Sequence, residues 1–278
     1  MYRYNRNCTL IYFKLLLLNL VLLLFFPLLL VQGMWVKKRT VRLPEPDGER
    51  TFETTGFTVD QGLNVAVLGD SAAAGVGATY QKHALSGLLF SSLSKHRNAR
   101  LVVKAKTGYT SHDVLHMLND APAEQFDIAL ISVGVNDVTH FTSMGRWRRQ
   151  CKAIQTLLET KFQCRLVIFS ELPPLHLFPA IVQPLRWLLG QRAMLFNLAL
   201  QQTVTLSKKR ANSNSVFLPL DIVYREPNLE LPSGYKMRFQ DMKASGFMAM
   251  DGFHPSSKAY GLWAERVMAV LHEQKQLS

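Results

Sequence analysis

Short apolar runs bounded by turn residues alternate along this chain with longer stretches of helical period. Residues 63–68, 101–105, 126–133, 165–169 and 216–220 read as five strands. Runs that are apolar at nearly every position, such as 126–133, are those of strands buried on both faces. Pro219 places the fifth run at an edge or at its own end. Between the runs, residues 80–93, 111–118, 146–162 and 191–206 fit helices, and 255–271 fits a closing one. Ser111 is the candidate cap of the second helix, and Ser256 or Ser257 of the last. Strands alternating with helices imply parallel βαβ units. The expected fold class is α/β: three layers, α/β/α, around a central, mostly parallel five-stranded sheet. Sites in such sheets gather beyond the carboxyl ends of the strands.

The N-terminus carries a different pattern. Residues 15–31 are leucine-rich, broken only by Asn19 and Pro27. Arg3, Arg6 and Lys14 precede the run, and Lys37, Lys38 and Arg39 follow it. A spanning helix needs about 20 mostly apolar residues, and 15–36 reaches that length. A cleaved signal would have a shorter apolar region ending in a small-x-small site, and none follows here. The expectation is therefore an uncleaved N-terminal transmembrane anchor over residues 1–36. Positive charge at both ends leaves the side of the membrane open. Residues 41–56 are polar and hold Pro44, Pro46 and Gly48. They suggest a basic, proline-containing linker over 37–60 and a folded domain over 61–278.

Net charge is +12, from 32 basic and 20 acidic residues, with basic clusters at 37–39, 146–149 and 208–210. Nucleic acid could meet such clusters. An anionic bilayer surface is the more economical partner for a chain with an anchor, so no nucleic acid is expected. Cys8, Cys151 and Cys164 form no disulfide framework, and no cysteine or histidine spacing suggests a metal. Cys151 and Cys164 could pair only in an oxidising compartment and are read as buried free thiols. Neither a metal nor a cofactor is expected.

Four places carry candidate chemistry. Ser71, in Gly69-Asp70-Ser71, sits at a strand-to-helix turn, where a hydroxyl can be a nucleophile or Asp70 or Ser71 can merely cap the helix. A phosphate loop is excluded by the lack of Gly-Lys-Ser/Thr and by Tyr80 where a third glycine would stand. Ala73 excludes a Gly-x-Ser-x-Gly elbow. Gly108 follows the second strand, where its N–H could approach a ligand or simply turn the chain. Asn136, in Gly134-Val135-Asn136-Asp137, could donate to an oxyanion or bond its own turn. Asp251 and His254 are three residues apart, so the carboxylate could orient the imidazole. The other seven histidines are expected to lack such a partner.

Together these motifs resemble the SGNH (GDSL-type) hydrolases, in the family's order and over most of the domain. The resemblance implies Ser71 as nucleophile, His254 as general base and acid, and Asp251 as its orienting carboxylate. It implies an oxyanion hole from the N–H groups of Ser71 and Gly108 and the Asn136 side chain. Ala72 departs from the family's name-giving leucine.

Residues 171–190 are apolar, punctuated by proline and longer than the usual strand-to-helix loop. They suggest a wall or lid for an acyl chain, or a helix packed on the core. The reading is a membrane-anchored serine hydrolase of carboxylic esters or thioesters, with lipid-like esters favoured by the family's thioesterase and lysophospholipase members. A carbohydrate O-acetylesterase, or a membrane-tethered binding module without activity, is the alternative.

Overall fold

The apolar run at 63–68 forms a strand, Leu63–Gly69, buried at all seven positions. Such a strand must be covered on both faces. The computed structural model, which describes residue 13 and residues 16–211, 214–220 and 246–277, supplies both covers. In chain order the strands are β1 (Thr51–Glu53), β2 (Leu63–Gly69), β3 (Ala99–Ala105), β4 (Ile128–Ser132), β5 (Leu166–Ser170) and β6 (Ser215–Leu218). Across the sheet the order is β1-β3-β2-β4-β5-β6. β2 to β6 pair in parallel, while β1 runs antiparallel to β3.

The five-stranded expectation is thus corrected to six strands among the described residues. The additional strand, β1, lies inside the stretch expected to be a linker. It is three residues long and carries Thr51 and Glu53, so no apolar run marks it. Phe52 anchors it by stacking on Phe90, with ring centroids 5.4 Å apart.

The helices are α1 (Leu16–Leu24), α2 (Phe26–Arg39), α3 (Ser71–Ala74), α4 (Leu85–Leu93), α5 (Ser111–Asp120), α6 (Val135–Thr139), α7 (Met144–Thr160), α8 (Leu185–Ala211) and α9 (Ser257–Glu273). Side chains alternate across a strand, and β2 divides its residues accordingly. Ala66 and Leu68 join the core under α5, α7 and α8. Val65 and Val67 join the core under α4 and α9. Three layers result. The helix expected over 80–93 splits into a 3-10 turn, Gln81–His83, and α4.

Two caps show how the local sequence works. Ser256 caps α9 by accepting from the Ala259 N–H. Ser111, expected to cap α5, does not. Thr110 takes that position and forms a reciprocal capping box with Asp113. Ser111 is thereby freed to turn both its N–H and its hydroxyl to Asp137.

No single described helix is long and apolar enough to cross a membrane. α1 and α2 meet the length and composition requirement only as a pair, and they bend by 81° at their break. Pro27, in the first turn of α2, accounts for the break, because proline has no N–H to continue the preceding helix. Leu18 and Leu29 are buried in the same core as Leu185 and Leu188 of α8. Cys151 and Cys164 are free and buried. Burial pushes the Cys164 thiol up to about 12 and raises Cys151 well above its usual value. Cys8 and the side chains of 208–210 lie outside the described residues.

Candidate active site

β2 ends at Gly69, where φ is +147° and a Cβ would lie 1.7 Å from the Ser132 carbonyl oxygen. Only glycine fits so close to β4. Asp70 follows, its N–H donating to that same carbonyl at 3.0 Å. Its carboxylate accepts from the Ala72 N–H at 3.1 Å and so caps α3. Asp70 rather than Ser71 fills the capping role, which leaves the Ser71 hydroxyl uncommitted at the end of the strand.

That hydroxyl meets a residue 183 positions away. His254 Nε2 lies 2.9 Å from Ser71 Oγ. The other ring nitrogen, Nδ1, lies 2.6 Å from Asp251 Oδ2. Asp251 Oδ1 accepts from the backbone N–H groups of Phe253 and His254 at 2.9 and 3.0 Å. The Asp251 side chain is fully buried and that of His254 is 18% exposed. Burial pushes the Asp251 carboxyl up, but its hydrogen bonds from the His254 ring and from the two N–H groups outweigh this. The carboxyl lies below its usual range, so Asp251 is an anion able to fix the tautomer and stabilise a protonated imidazole.

Asp70 is the contrasting carboxyl. It is buried, and desolvation raises it to about 7 despite the Ala72 N–H and the nearby His254. Burial also raises Asp137, against the hydrogen bonds from Ser111.

Gly108 lies in the β3–α5 loop with φ of +89°. The Lys106 N–H donates to the Gly69 carbonyl at 3.2 Å, holding the start of that loop beside the Ser71 turn. Asn136 follows β4 in the first turn of α6. Its Nδ2 donates to the Tyr109 carbonyl at 2.9 Å. One amide hydrogen is thereby spent on orientation and the other is left for a ligand. Gly108 and Asn136, far apart in sequence, are brought to one loop.

A residue without any sequence signal holds the same loop. Glu45 Oε1 accepts from the Thr107 N–H at 2.7 Å and from the Thr107 hydroxyl at 2.8 Å. Its other oxygen pairs with Arg50 at 2.8 Å. Nothing in a polar, proline-bearing stretch points to a partner 62 residues on. One histidine expectation is also corrected: His116 pairs with Asp120 at 2.7 Å, four residues on along α5. Both side chains are about two-thirds exposed, as a solvated helix pair would be.

A cavity of about 90 Å³ is lined by Ser71 and His254. Its walls are chiefly apolar, among them Val133, Leu172, Pro174, Phe178, Phe253 and Trp263. Leu172, Pro174 and Phe178 of the 171–190 segment line this cavity, while residues from Leu185 onward belong to α8. Among the described residues, no group of His, Cys, Asp or Glu could hold a metal ion.

The model of the GDSL-like lipase/acylhydrolase family matches residues 67–262. The chain belongs to that family. This GDSL-like protein is an ester hydrolase of the SGNH type, and solved structures repeat its fold at low sequence identity. TesA is 19% identical, with a TM-score of 0.51 over 77% of this chain and 99% of that one. The psychrotrophic esterase EstA from Pseudoalteromonas sp. is 17% identical, with a TM-score of 0.50 over 77% and 98%. The acetylxylan esterase Axe2 from Geobacillus stearothermophilus is 17% identical, with a TM-score of 0.50 over 75% and 94%. No curated protein sequence matches the chain.

Proposed function

We propose that this hydrolase is tethered to a membrane by its apolar N-terminus and cleaves lipid-like carboxylic esters or thioesters through an acyl-enzyme on Ser71. The observation that carries the reading is the Ser71–His254–Asp251 chain of contacts opening onto an apolar cavity. His254 Nε2 takes the Ser71 proton as Oγ attacks the acyl carbonyl. The charge that develops on the carbonyl oxygen is met by the N–H groups of Ser71 and Gly108 and by the Asn136 amide. The imidazolium then gives its proton to the leaving alcohol or thiol, and the acyl group stays on Ser71. Water, activated by the same imidazole, attacks the acyl-enzyme and releases the acid. The imidazolium returns that proton to Ser71 Oγ as the acid leaves, so serine and histidine are then as they began.

An acyl-chain series tests the substrate class. Turnover of p-nitrophenyl esters from acetyl to dodecanoyl should rise to an optimum beyond butyryl, because Leu172, Phe178 and Trp263 give methylenes an apolar surface to bury against at about 0.8 kcal/mol each. Faster turnover of an acetylated xylan than of every chain longer than acetyl would replace this reading with that of a carbohydrate O-acetylesterase.

A further inference from the structure

Exposed large apolar side chains gather on three helices, α1, α2 and α8. On α1, Leu16, Leu20, Leu23 and Leu24 are between 55% and 76% exposed. α2 adds Phe26, Val31, Met34 and Trp35. α8 adds Trp187, Met194 and Leu198, which are spaced seven and four residues apart and so share one face of the helix. Soluble surfaces seldom gather apolar side chains in this way without an occupant.

α2 is bonded to the start of α8. Gln32 Nε2 donates to the Gln183 carbonyl at 2.7 Å, and the Leu185 N–H donates to Gln32 Oε1 at 3.2 Å. Gln183 lies at the end of the segment that began as the pocket wall with Leu172, Pro174 and Phe178. One side chain thus ties the N-terminal helices to the segment that encloses the cavity.

Charge identifies the occupant. Lys37, Lys38 and Arg39 fill the last turn of α2, and the Arg39 guanidinium lies 4.5 Å from the centre of the Trp35 ring. Arg146, Arg148 and Arg149 stand at the start of α7, beside α8, where Trp147 stacks on Phe196. None of these three arginines has an ion-pair partner among the described residues. Apolar side chains rimmed by unpaired cations and by tryptophan match the boundary between acyl chains and anionic headgroups. A second copy of a chain with net charge +12 would bring like charges together around the same face. Length agrees with a surface position: α1 and α2 extend about 14 and 21 Å, while a hydrocarbon core is about 30 Å thick.

We propose that α1, α2 and the outward stripe of α8 form one face that seats on an anionic lipid bilayer and holds the cavity opening at the lipid surface. This rests on the membrane-tethered hydrolase reading and goes further, since a tether alone would let the domain stand away from the bilayer on residues 40–60.

The test uses the full chain with phosphatidylglycerol vesicles whose acyl chains are brominated. In a W35F variant, Trp187 is the exposed tryptophan, because Trp147 and Trp263 are buried. Its fluorescence should be quenched, and W35F/W187F should lose that quenching. Trp187→Glu and Leu198→Glu should keep turnover of soluble p-nitrophenyl butyrate within about twofold, yet lower turnover of a long-chain ester embedded in the vesicles about tenfold. Unquenched Trp187 in a vesicle-bound protein would overturn the proposal. So would equal losses on both substrates, or a lipid-free dimer in which Trp187 is shielded. A wild type inactive on soluble ester would strike the hydrolase reading instead, and the quenching would still decide the docking.

Discussion

Glu45 holds Thr107 through both its backbone N–H and its hydroxyl, at 2.7 and 2.8 Å, and Thr107 immediately precedes Gly108. The same carboxylate pairs with Arg50, whose guanidinium donates to the Ala105 carbonyl at 3.0 Å. The hydrogen bonds from Thr107 and the charges of Arg50 and Lys106 offset burial and keep the Glu45 carboxyl below its usual range. A segment outside the family match therefore sets the position of a candidate oxyanion donor. A displaced donor loses part of the 10²- to 10³-fold that such a group contributes. Glu45→Ala is expected to lower kcat about tenfold with KM changed less than about twofold, and Glu45→Gln, which keeps an acceptor, to recover most of it. A fall in melting temperature with kcat intact would make Glu45 only a structural residue.

Ala72, where the family's name-giving pattern has leucine, lines the cavity next to Ser71. The small side chain leaves room that a leucine would fill. Ala72→Leu is expected to lower kcat/KM for octanoyl esters by about tenfold relative to acetyl, since overfilling a packed site costs about 1–3 kcal/mol. The ratio of the two rates across the acyl series checks this. An unchanged ratio would mean that acyl chains do not pass Ala72.

Asp70 gives stability a dependence on pH. Burial raises its folded carboxyl to about 7, from 3.8 for the free group. Between those values the folded state retains a proton that the unfolded state has released. This contribution is complete below the unfolded value and is lost as pH rises through the folded one. Asp70→Asn cannot titrate and still offers an oxygen to the Ala72 N–H. The melting temperature of the wild type should fall between pH 5 and pH 8 by more than that of Asp70→Asn. Equal falls in the two proteins would show that Asp70 does not titrate in this window.

The apolar runs made most of this fold legible. The strands β2, β4 and β5 are buried at every position, so their pattern is short and dense, and the helices between the strands keep their period. β1 was illegible because a three-residue edge strand needs only Phe52 to anchor it. The bend between α1 and α2 was hidden too: composition counts leucines, whereas Pro27 decides whether they share one axis. In the site, Ser71, Asp251 and His254 could be read because reactive groups sit at fixed offsets from turns. Asn136 could be placed, but not its bond to Tyr109. Glu45 could not be found, since its pairing with Thr107 depends on where the chain folds back rather than on any spacing.

The central claim is that Ser71 and His254 act as one unit, and it is tested most directly by their single and double alanine variants. The measurement is kcat for p-nitrophenyl butyrate in the wild type, Ser71→Ala, His254→Ala and the double variant. Each single change should lower kcat by about 10³-fold or more, with the double variant no slower than the worse single. Wild-type turnover in Ser71→Ala, or losses that multiply in the double variant, would contradict it.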